Sequence, residues 1–532
     1  PVRDEVPGER AAVERRHLVA YRELARTAEP LLHGPDQGGH LERLEREHDN
    51  IRTALRRAVA ARDEHEALCL VLSMSWFWQV RDHRVEARTW AEVVMGLGPD
   101  PFGGPVTAKA PSLMERCTDA PPPMREELFQ EARRGVALMA LSEKQESVIW
   151  AESPEWLAHF RRVRETYTPG QPQTCRLPGM MWIFAWMLAG EADRFHEALA
   201  ATVEGCRRYG YDWELAFVLQ LRAKLTGEHP GSVLQAARDT EESLEIFRRL
   251  GDTWGTAEAL AGRAESHCMR GEFAAAAEDY RRAIEHAEAL GALSQMPVLR
   301  ARLGSALTEM GDPEAADEGD ELLARAVEEL ERATGGEVPN FAALQHAVRL
   351  GRTGETARAR ALVSSIEEQF RDRAPDLFCG IAQGLLAWLL VLDGEYAPAL
   401  SKADEAIGRV STRLGNLVSS NLLLHEVVTA AHALAELGDP ELAATLLAVN
   451  DAHGVHPEGY QPQPVEAESR RGAETAVRAV FAARSADGRP AEADEAYARA
   501  YAKGGGLSIE EATALVSRAA RERGAGRPGP RT

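Results

Sequence analysis

The spacing of apolar residues along this chain is that of amphipathic helices. Between residues 37 and 62, Leu41, Leu44, Ile51 and Leu55 recur at intervals that place them on one helix face. Alternation with period two, which marks strands, is nearly absent. The pattern predicts helices over 9–33, 37–62, 64–80 and 83–96, further helices from Met124 to about 450 with a break around 169–178, and closing helices over 466–484, 489–502 and 508–522.

Glycines punctuate these helices in two interleaved sets. Glycine is favoured just past a helix end because it adopts the left-handed conformation without steric cost. The first set recurs every 37 to 44 residues, and the second lies roughly half a period out of phase, so each repeat holds two helices. A stack of such hairpins is an α-solenoid. The first set is Gly190, Gly227, Gly271, Gly311, Gly354, Gly394 and Gly438, and the second is Gly210, Gly251, Gly291, Gly335 and Gly415.

The repeat around Gly271 resembles the tetratricopeptide repeat. Small residues stand where two helices of a hairpin must approach closely, and large residues stand where neighbouring hairpins must be bridged. Arg263 departs from the pattern because it replaces the usual Leu. The small residues are Ala264, Ala276, Ala283 and, in the next repeat, Gly304; the large ones are Phe273 and Tyr280.

The predicted fold class is all-α: a tetratricopeptide-like α-solenoid, expected as a right-handed superhelix of roughly eight to ten helical hairpins. The chain begins at Pro1 in the style of a mid-helix sequence, so we expect it to be part of a longer protein. The expected domains are N-terminal hairpins over 1–98, a Pro/Gly-rich loop or insertion over 99–123, repeats over 124–450, a linker over 451–465, capping helices over 466–523 and a disordered tail over 524–532.

Composition narrows the function classes. The formal net charge of −21 and the lack of a clustered Lys/Arg footprint argue against direct nucleic-acid binding. Six cysteines without CxxC or metal-ligand spacing suit a reducing compartment, and no apolar stretch reaches the length of a membrane span. We therefore expect a soluble, cytoplasmic protein with no membrane association.

Histidines and acids provide no convincing metal or catalytic site. Glu47-His48-Asp49 could suggest a cluster, but adjacent residues on a helix point about 100° apart. We favour a structural role, with His48 packed between hairpins and Asp49 and Asn50 bonded to neighbouring backbone. His453 and His456 lack further ligands nearby, which disfavours zinc. No nucleophile elbow, HExxH or other catalytic motif occurs, so the prediction is no enzyme, no cofactor and no metal.

Two aromatic sets leave alternatives open. The tryptophans Trp76, Trp78 and Trp90 could form a ligand cage or a stacking platform, but aromatic residues at helical spacing more often belong to the core. In the second set, Trp182 and Trp186 share a helix face and Phe184 points away. One member of that set is a candidate for lining a groove.

Three segments resemble one regulator family. They are Leu41–Leu55, which contains Glu47-His48-Asp49-Asn50; Phe77–Trp90, which contains Phe77-Trp78 and His83; and Ala502–Ala512, which contains Lys503-Gly504-Gly505-Gly506. The chain is similar to the C-terminal tetratricopeptide region of actinobacterial NB-ARC/STAND transcriptional regulators of the large Streptomyces antibiotic regulatory protein type. In that family a winged helix binds DNA, an NB-ARC module binds ATP, and the C-terminal array senses or restrains.

The resemblance implies a sensor and autoregulatory protein-interaction domain. This chain has no GxxxxGK[ST] phosphate loop and no basic recognition helix, so the ATPase and DNA-binding functions must reside elsewhere. The expected partner is a protein or the regulator's own nucleotide-binding and DNA-binding modules, with a small molecule or a peptide as a further candidate ligand. The alternative is a free-standing tetratricopeptide scaffold or adaptor.

The tetratricopeptide register also selects an interaction surface. In such arrays the first helix of each hairpin lines the concave side, and its outward positions are polar when they read a peptide or an apposed domain. The alternative is that these residues are merely solvated. The selected residues are Glu258, Glu265, Ser305, Thr308, His425 and His432.

Overall fold

The computed structural model describes residues 8–143, 153–189, 191–226, 233–292, 295–334, 341–370, 376–411, 420–454, 461–484 and 490–525. Every regular element in these ranges is helical, and the repeat architecture is that of an all-α solenoid built from helical hairpins. The α-helices are Glu9–Ala28, Gln37–Arg46, His48–Ala60, Glu64–Val80, Arg84–Met95, Glu126–Glu143, Pro154–Thr166, Ile183–Leu188, Ala192–Tyr209, Asp212–Thr226, Val233–Leu250, Thr253–Met269, Phe273–Leu290, Met296–Thr308, Pro313–Thr334, Phe341–Arg352, Thr356–Phe370, Asp376–Leu392, Tyr396–Val410, Ser420–Glu436, Pro440–His453, Pro464–Arg484, Pro490–Gly504 and Ile509–Ala525.

The glycine caps are where the sequence predicts them. Eight of the marker glycines adopt the left-handed conformation just past a helix end, with φ between 68° and 87°. Gly190, Gly227, Gly335 and Gly415 lie outside the described residues. The two interleaved sets therefore end successive helices, as the two-helix repeat requires. The eight are Gly210, Gly251, Gly271, Gly291, Gly311, Gly354, Gly394 and Gly438.

The prediction of one helix over 37–62 is wrong, because the chain forms two helices separated at Glu47. Glu47 has φ −99° and ψ 7°, outside the α-helical region, and its backbone N–H still bonds the carbonyl of Arg43 at 3.3 Å. The predicted helix over 9–33 ends at Ala28, and a 3₁₀ turn over Glu29–Leu32 follows. Pro30 occupies the start of that turn, where its missing N–H costs nothing.

The chain divides into two compact units. The first comprises residues Pro1–Lys224, Arg238–Gly262 and Arg282–Met296, and the second comprises Leu225–Ala237, Arg263–Arg281 and Pro297–Thr532. Within the first, the helix Glu9–Ala28 packs on the helices His48–Ala60 and Glu64–Val80. Within the second, the helices from Asp376 onward share one apolar core that is rich in Ala, Leu and Val.

Small residues allow close helix crossings in the second unit. Ala264 and Ala276 are fully buried, and Gly304 faces Gly319 across a crossing. A Cβ at Gly304 would lie 2.7 Å from the carbonyl oxygen of Gly319, which leaves no room for a side chain. The sequence prediction of a close contact at Gly304 is confirmed.

Arg263, which departs from the repeat pattern, has a defined partner. Its guanidinium donates two hydrogen bonds, of 2.6 and 2.7 Å, to the buried carboxylate of Asp279. Arg222 and Asp239 form the same kind of pair in the first unit, at 2.6 and 2.7 Å. Each pair joins the two helices that flank a loop, so the charged residue replaces an apolar contact with a bidentate ion pair.

None of the helices in the described ranges is long and apolar enough to cross a membrane.

Candidate ligand-binding site

The first unit contains a cavity of about 520 Å³. Its walls come from the 3₁₀ turn after the first helix, from Glu64–Val80 and Glu126–Glu143, and from residues 173–188 and 213–217. Segment 113–118, which lies in the predicted Pro/Gly-rich insertion, supplies a further wall. Most of the lining side chains are apolar, and cavities of this size and character commonly bind small molecules.

Aromatic rings form one end of the cavity. The ring planes of Trp213 and Phe217 lie 15° apart with centroids separated by 5.4 Å, and those of Phe217 and Trp254 lie 22° apart at 6.1 Å. Trp76 stands edge-on to this set, at 83° to Trp213 and 84° to Trp254. The three near-parallel rings and the perpendicular Trp76 are called the aromatic wall below.

Two polar atoms at this wall have no hydrogen-bond partner. They are Nε1 of Trp76, whose side chain is 6% exposed, and Nδ1 of His33. Trp213, in contrast, donates its Nε1–H to Asp252 at 2.9 Å. Burial lowers the pKa of His33 to about 3, with Arg116 adding to the effect, so its imidazole is neutral at physiological pH. Protein atoms enclose both nitrogens, so the unmet hydrogen bond of Trp76 is a cost to the folded chain.

Two of the acidic groups that line the cavity, Glu29 and Glu131, are compensated by partners in the protein. Glu29 forms an ion pair with Arg116, and Glu131 accepts hydrogen bonds from Tyr167 at 2.8 Å and from Arg134 at 3.0 Å. Burial raises the pKa of Glu29 and of Glu131, and these partners offset part of the rise. Neither carboxylate is therefore available as a free counter-charge for a cationic ligand.

Residues 99–123 are attached to the rest of the unit by hydrogen bonds. The backbone of Ala110 donates to the carbonyl of Thr166 at 2.8 Å, and Gln173 accepts from the backbone N–H of Leu113 at 3.2 Å. Gln171 donates to the carbonyl of Ala110 at 3.0 Å. The insertion is thus a bonded wall of the cavity, and the sequence pattern alone did not indicate this.

The four predicted interaction residues on the helices Thr253–Met269 and Met296–Thr308 are partly buried. Glu258 accepts from Lys224 at 2.8 Å, and Glu265 forms an ion pair with Arg302. The hydroxyl of Thr308 donates to the carbonyl of its neighbour Ser305 at 2.8 Å. The two glutamates therefore hold neighbouring helices together in addition to any role toward a partner. Thr308, Ser305 and the glutamates lie on the helices Thr253–Met269 and Met296–Thr308.

The two predicted histidines lie on the helix Ser420–Glu436. Burial lowers the pKa of His425 to about 4 and also lowers the pKa of His432, whose ring stacks on Tyr396 at 6.3 Å. Between them, Glu426 is 5% exposed, its Oε2 has no hydrogen-bond partner, and burial raises its pKa to about 8. Neither the sequence pattern nor the repeat register predicts this buried acid.

His48 belongs to a network of side chains rather than to an isolated motif. Its Nε2 lies 3.2 Å from Glu86 and 3.4 Å from the Nε1–H of Trp78. Burial alone would raise the pKa of Glu86, but hydrogen bonds from Arg52 and His48 lower it to about 2. The network joins three consecutive helices, which agrees with the structural role that we predicted for His48.

The prediction that Asp49 and Asn50 bond neighbouring backbone is wrong. Asn50 donates to the side chain of Glu47 at 2.8 Å, and Asp49 pairs with Arg52 at 3.3 Å, so both contact side chains rather than backbone.

Because the helix is interrupted at Glu47, Glu45 and His48 lie on different helices. In the described part of the chain, Glu45, His48 and His83 are the one group of potential metal ligands, with ligand atoms within 4.8 Å of one another. His48 is already held by Glu86 and Trp78, as described above.

The aromatic sets divide between core and cavity. Trp78 is buried in the core, whereas Trp76 is buried and also lines the cavity. Trp182 is fully buried and donates to the carbonyl of Arg164 at 3.2 Å, and Phe184, which points the other way, lines the cavity. His453 contacts the carbonyl oxygen of Leu507 at 2.7 Å, and His456 lies outside the described residues.

Sequence reasoning missed the tryptophans contributed by later hairpins. Trp213 and Trp254 each stand three residues after a cap glycine, Gly210 and Gly251 respectively. The equivalent position in two successive repeats is therefore aromatic. That signal was available in the sequence, but it becomes informative only when both positions are known to face Trp76.

The comparisons with known proteins give distant structural likenesses. The crystal structure of yeast Tom70 matches with a TM-score of 0.36 and 13% identity, covering 89% of this chain and 99% of that chain. A circular tandem repeat protein with novel repeat topology matches with a TM-score of 0.12 and 14% identity, covering 96% and 98%. No family model and no curated protein matches. Likenesses this remote carry no argument about function.

Proposed function

We propose that this chain is the sensor and autoregulatory arm of a STAND-type transcriptional regulator, in which a small molecule bound in the cavity controls docking of the array onto the nucleotide-binding module. The observation that carries the proposal is the cavity of about 520 Å³ in the first unit. The resemblance of 41–55, 77–90 and 502–512 to that family supports the regulatory context. The DNA-binding and ATPase modules lie outside this chain.

The mechanism is a population shift. Docking onto the nucleotide-binding module favours the inactive state, and a ligand that binds the undocked state better moves the equilibrium by its difference in affinity for the two states. The six residues selected from the repeat register form the proposed docking surface. They are Glu258, Glu265, Ser305, Thr308, His425 and His432.

One pair of helices links the cavity to this surface. Trp254, in the aromatic wall, lies one helical turn before Glu258 on the helix Thr253–Met269. Trp213, also in that wall, belongs to the helix whose Lys224 bonds Glu258. A ligand that moves either ring therefore acts on helices that carry a proposed docking residue.

The test uses the regulator with its nucleotide-binding module. Glu258→Lys should weaken docking of the array and raise basal ATP turnover, because it reverses a charge on the proposed surface. Glu242→Lys is the matched control, since Glu242, like Glu258, pairs with a cation of a neighbouring helix (Arg207, at 2.8 Å) but lies outside the proposed surface. Equal helicity by circular dichroism excludes unfolding as the cause. ATP turnover that changes in neither variant, or equally in both, would overturn the docking surface.

A further inference from the structure

Two charged side chains of the cavity lining, Arg176 and Glu214, form no ion pair with any other residue that the structure describes. The remaining charged residues of the lining are paired, so they offer a bound molecule no free charge. Those pairs are Glu29 with Arg116, Arg84 with Asp82, Glu115 with Arg125 and Glu131 with Arg134. Arg176 and Glu214 are therefore the two charges of the cavity that a ligand can meet.

The two side chains lie close to one turn of the chain, and neither is fully buried. The guanidinium of Arg176 lies 3.8 Å over the ring of Tyr211 and donates to the carbonyl of Met114 at 2.7 Å, so some of its N–H donors remain unused. Glu214 follows Tyr211 by three residues, in the first turn of the helix Asp212–Thr226. Residues three apart at a helix are neighbours on its surface, so Arg176 lies beside the turn that carries Glu214.

The electrostatics of this part of the cavity favour a molecule without net charge. Burial raises the pKa of Glu214, and its own backbone N–H and the positive charges of Arg116 and Arg176 offset part of that rise. Because Arg116 also pairs with Glu29, two guanidinium groups here face two carboxylates and the charges balance. A cation or an anion would disturb this balance in a partly desolvated site. A zwitterion preserves it when its ammonium lies at Glu214 and its carboxylate at Arg176.

Another part of the lining is apolar and deformable. Met181, Phe184 and Met187 are half-buried and line the cavity together with the buried Leu138 and Met139. Methionine side chains are flexible and polarisable, so they adapt to apolar groups of different shapes. A zwitterion that carries a large apolar group can bury that group here, and this burial adds to its affinity.

We propose that the cavity binds an α-amino acid with a large apolar side chain, its ammonium on Glu214, its carboxylate on Arg176 and its side chain among the methionines of the lining. The cavity volume of about 520 Å³ lies within the range of small-molecule sites. The signalling role of this ligand rests on the function proposed above, whereas the binding itself does not.

The first experiment compares probes of different charge on the unaltered protein. Isothermal titration calorimetry at neutral pH would use L-phenylalanine, 2-phenylethylamine, which lacks the carboxylate, 3-phenylpropanoate, which lacks the ammonium, and glycine, which lacks the apolar side chain. We expect L-phenylalanine to bind at least about tenfold more tightly than each of the others, because it alone meets both charges and the apolar lining. A smaller preference over any of them, or no binding of L-phenylalanine below about 1 mM, would overturn the inferred ligand class.

The second experiment assigns the ammonium to Glu214. Glu214→Gln keeps the shape of the side chain but removes its charge, so the preference for L-phenylalanine over 3-phenylpropanoate should fall to less than about twofold. Asp212→Asn is the matched control, because Asp212 is an acid of the same helix that pairs with Arg249 at 2.9 Å and lies outside the cavity lining. It should keep the full preference. A Glu214→Gln protein that still discriminates tenfold would show that another group receives the ammonium.

The reciprocal variant assigns the carboxylate to Arg176. Arg176→Gln should reduce the preference for L-phenylalanine over 2-phenylethylamine to less than about twofold, while the preference over 3-phenylpropanoate persists. A general disturbance of the cavity would weaken all probes alike and would not separate the two preferences. Loss of the same preference in both variants would contradict the proposed orientation of the ligand.

The two proposals fail in different ways. If L-phenylalanine binds but does not change ATP turnover of the regulator, the signalling function is wrong and the ligand site stands. If Glu258→Lys changes ATP turnover while no probe binds, the docking surface stands and the ligand class is wrong.

Discussion

Two regions of the molecule pack their helices in opposite ways. In the first unit, Trp76 meets Trp213 and Trp254 at 83° and 84°, and all three rings border a cavity. In the C-terminal region of the second unit, small residues bring backbones together, and a Cβ at Gly504 would lie 2.0 Å from the carbonyl oxygen of Thr445. Large rings at steep angles leave space between helices, and small residues remove it.

The two regions share one feature, a buried polar atom without a hydrogen-bond partner. Trp76 Nε1 has no partner and is enclosed by protein, although other atoms of the same side chain line the cavity. Glu426 Oε2 also has no partner, but a Cβ at Gly384 would lie 1.9 Å from the other oxygen of the same carboxyl group, so that side is filled by protein. In both regions, the missing hydrogen bond of a buried polar atom is a cost to stability.

The largest effect should come from adding volume to each region. Gly304→Leu forces a side chain into a crossing where a Cβ already lies 2.7 Å from a carbonyl oxygen, so we expect a loss of about 1–3 kcal/mol or more in the free energy of unfolding. Met139→Trp, which points additional volume at the cavity, should change that free energy by less than about 1 kcal/mol. Urea unfolding followed by circular dichroism measures both. Similar losses in the two variants would contradict the contrast in packing.

The second largest expected effect is a dependence of the free energy of unfolding on pH, caused by Glu426. The pKa of Glu426 is raised from 4.5 to about 8 in the folded chain, so the unfolded chain loses this proton first and stability falls as pH rises through that window. Glu426→Gln removes this dependence. Its stabilising effect should be smallest below about pH 4.5 and greatest above about pH 8, as measured by urea unfolding at several pH values. A gain that is independent of pH would mean that Glu426 keeps an ordinary pKa.

A smaller effect should separate two tryptophans of the aromatic wall. Trp213→Phe removes the hydrogen bond to the buried Asp252, whereas Trp76→Phe removes an N–H that bonds nothing in the protein. Because both changes lose similar ring volume, Trp213→Phe should cost about 1 kcal/mol more in the free energy of unfolding. Equal costs would mean that Trp76 has a partner after all. Thermal and urea unfolding of the ligand-free protein test this difference.

Local signals predicted the helices well, and non-local contacts explain what they missed. The cap at Gly271 depends on a few neighbouring residues, so the sequence indicates it directly. The cavity depends on Trp76 meeting Trp213, a residue from another hairpin far along the chain, and on an insertion without periodicity. The break at Glu47 was also missed, since the apolar spacing runs through it almost unchanged. The predicted docking residues were chosen by register alone, which carries no information on partners such as Lys224.

The wall formed by residues 99–123 affects the rates at which a molecule enters and leaves the cavity through it. Backbone amides of Ala110 and Leu113 are held by Thr166 and Gln173 across the edge of the cavity. A molecule that enters or leaves through this wall must wait for these bonds to open. The hydrogen-exchange rates of the two amides then report how often this wall opens, and for passage through this wall they set a ceiling on the rate. Long residence of a bound molecule would follow from this wall even where its equilibrium affinity is modest.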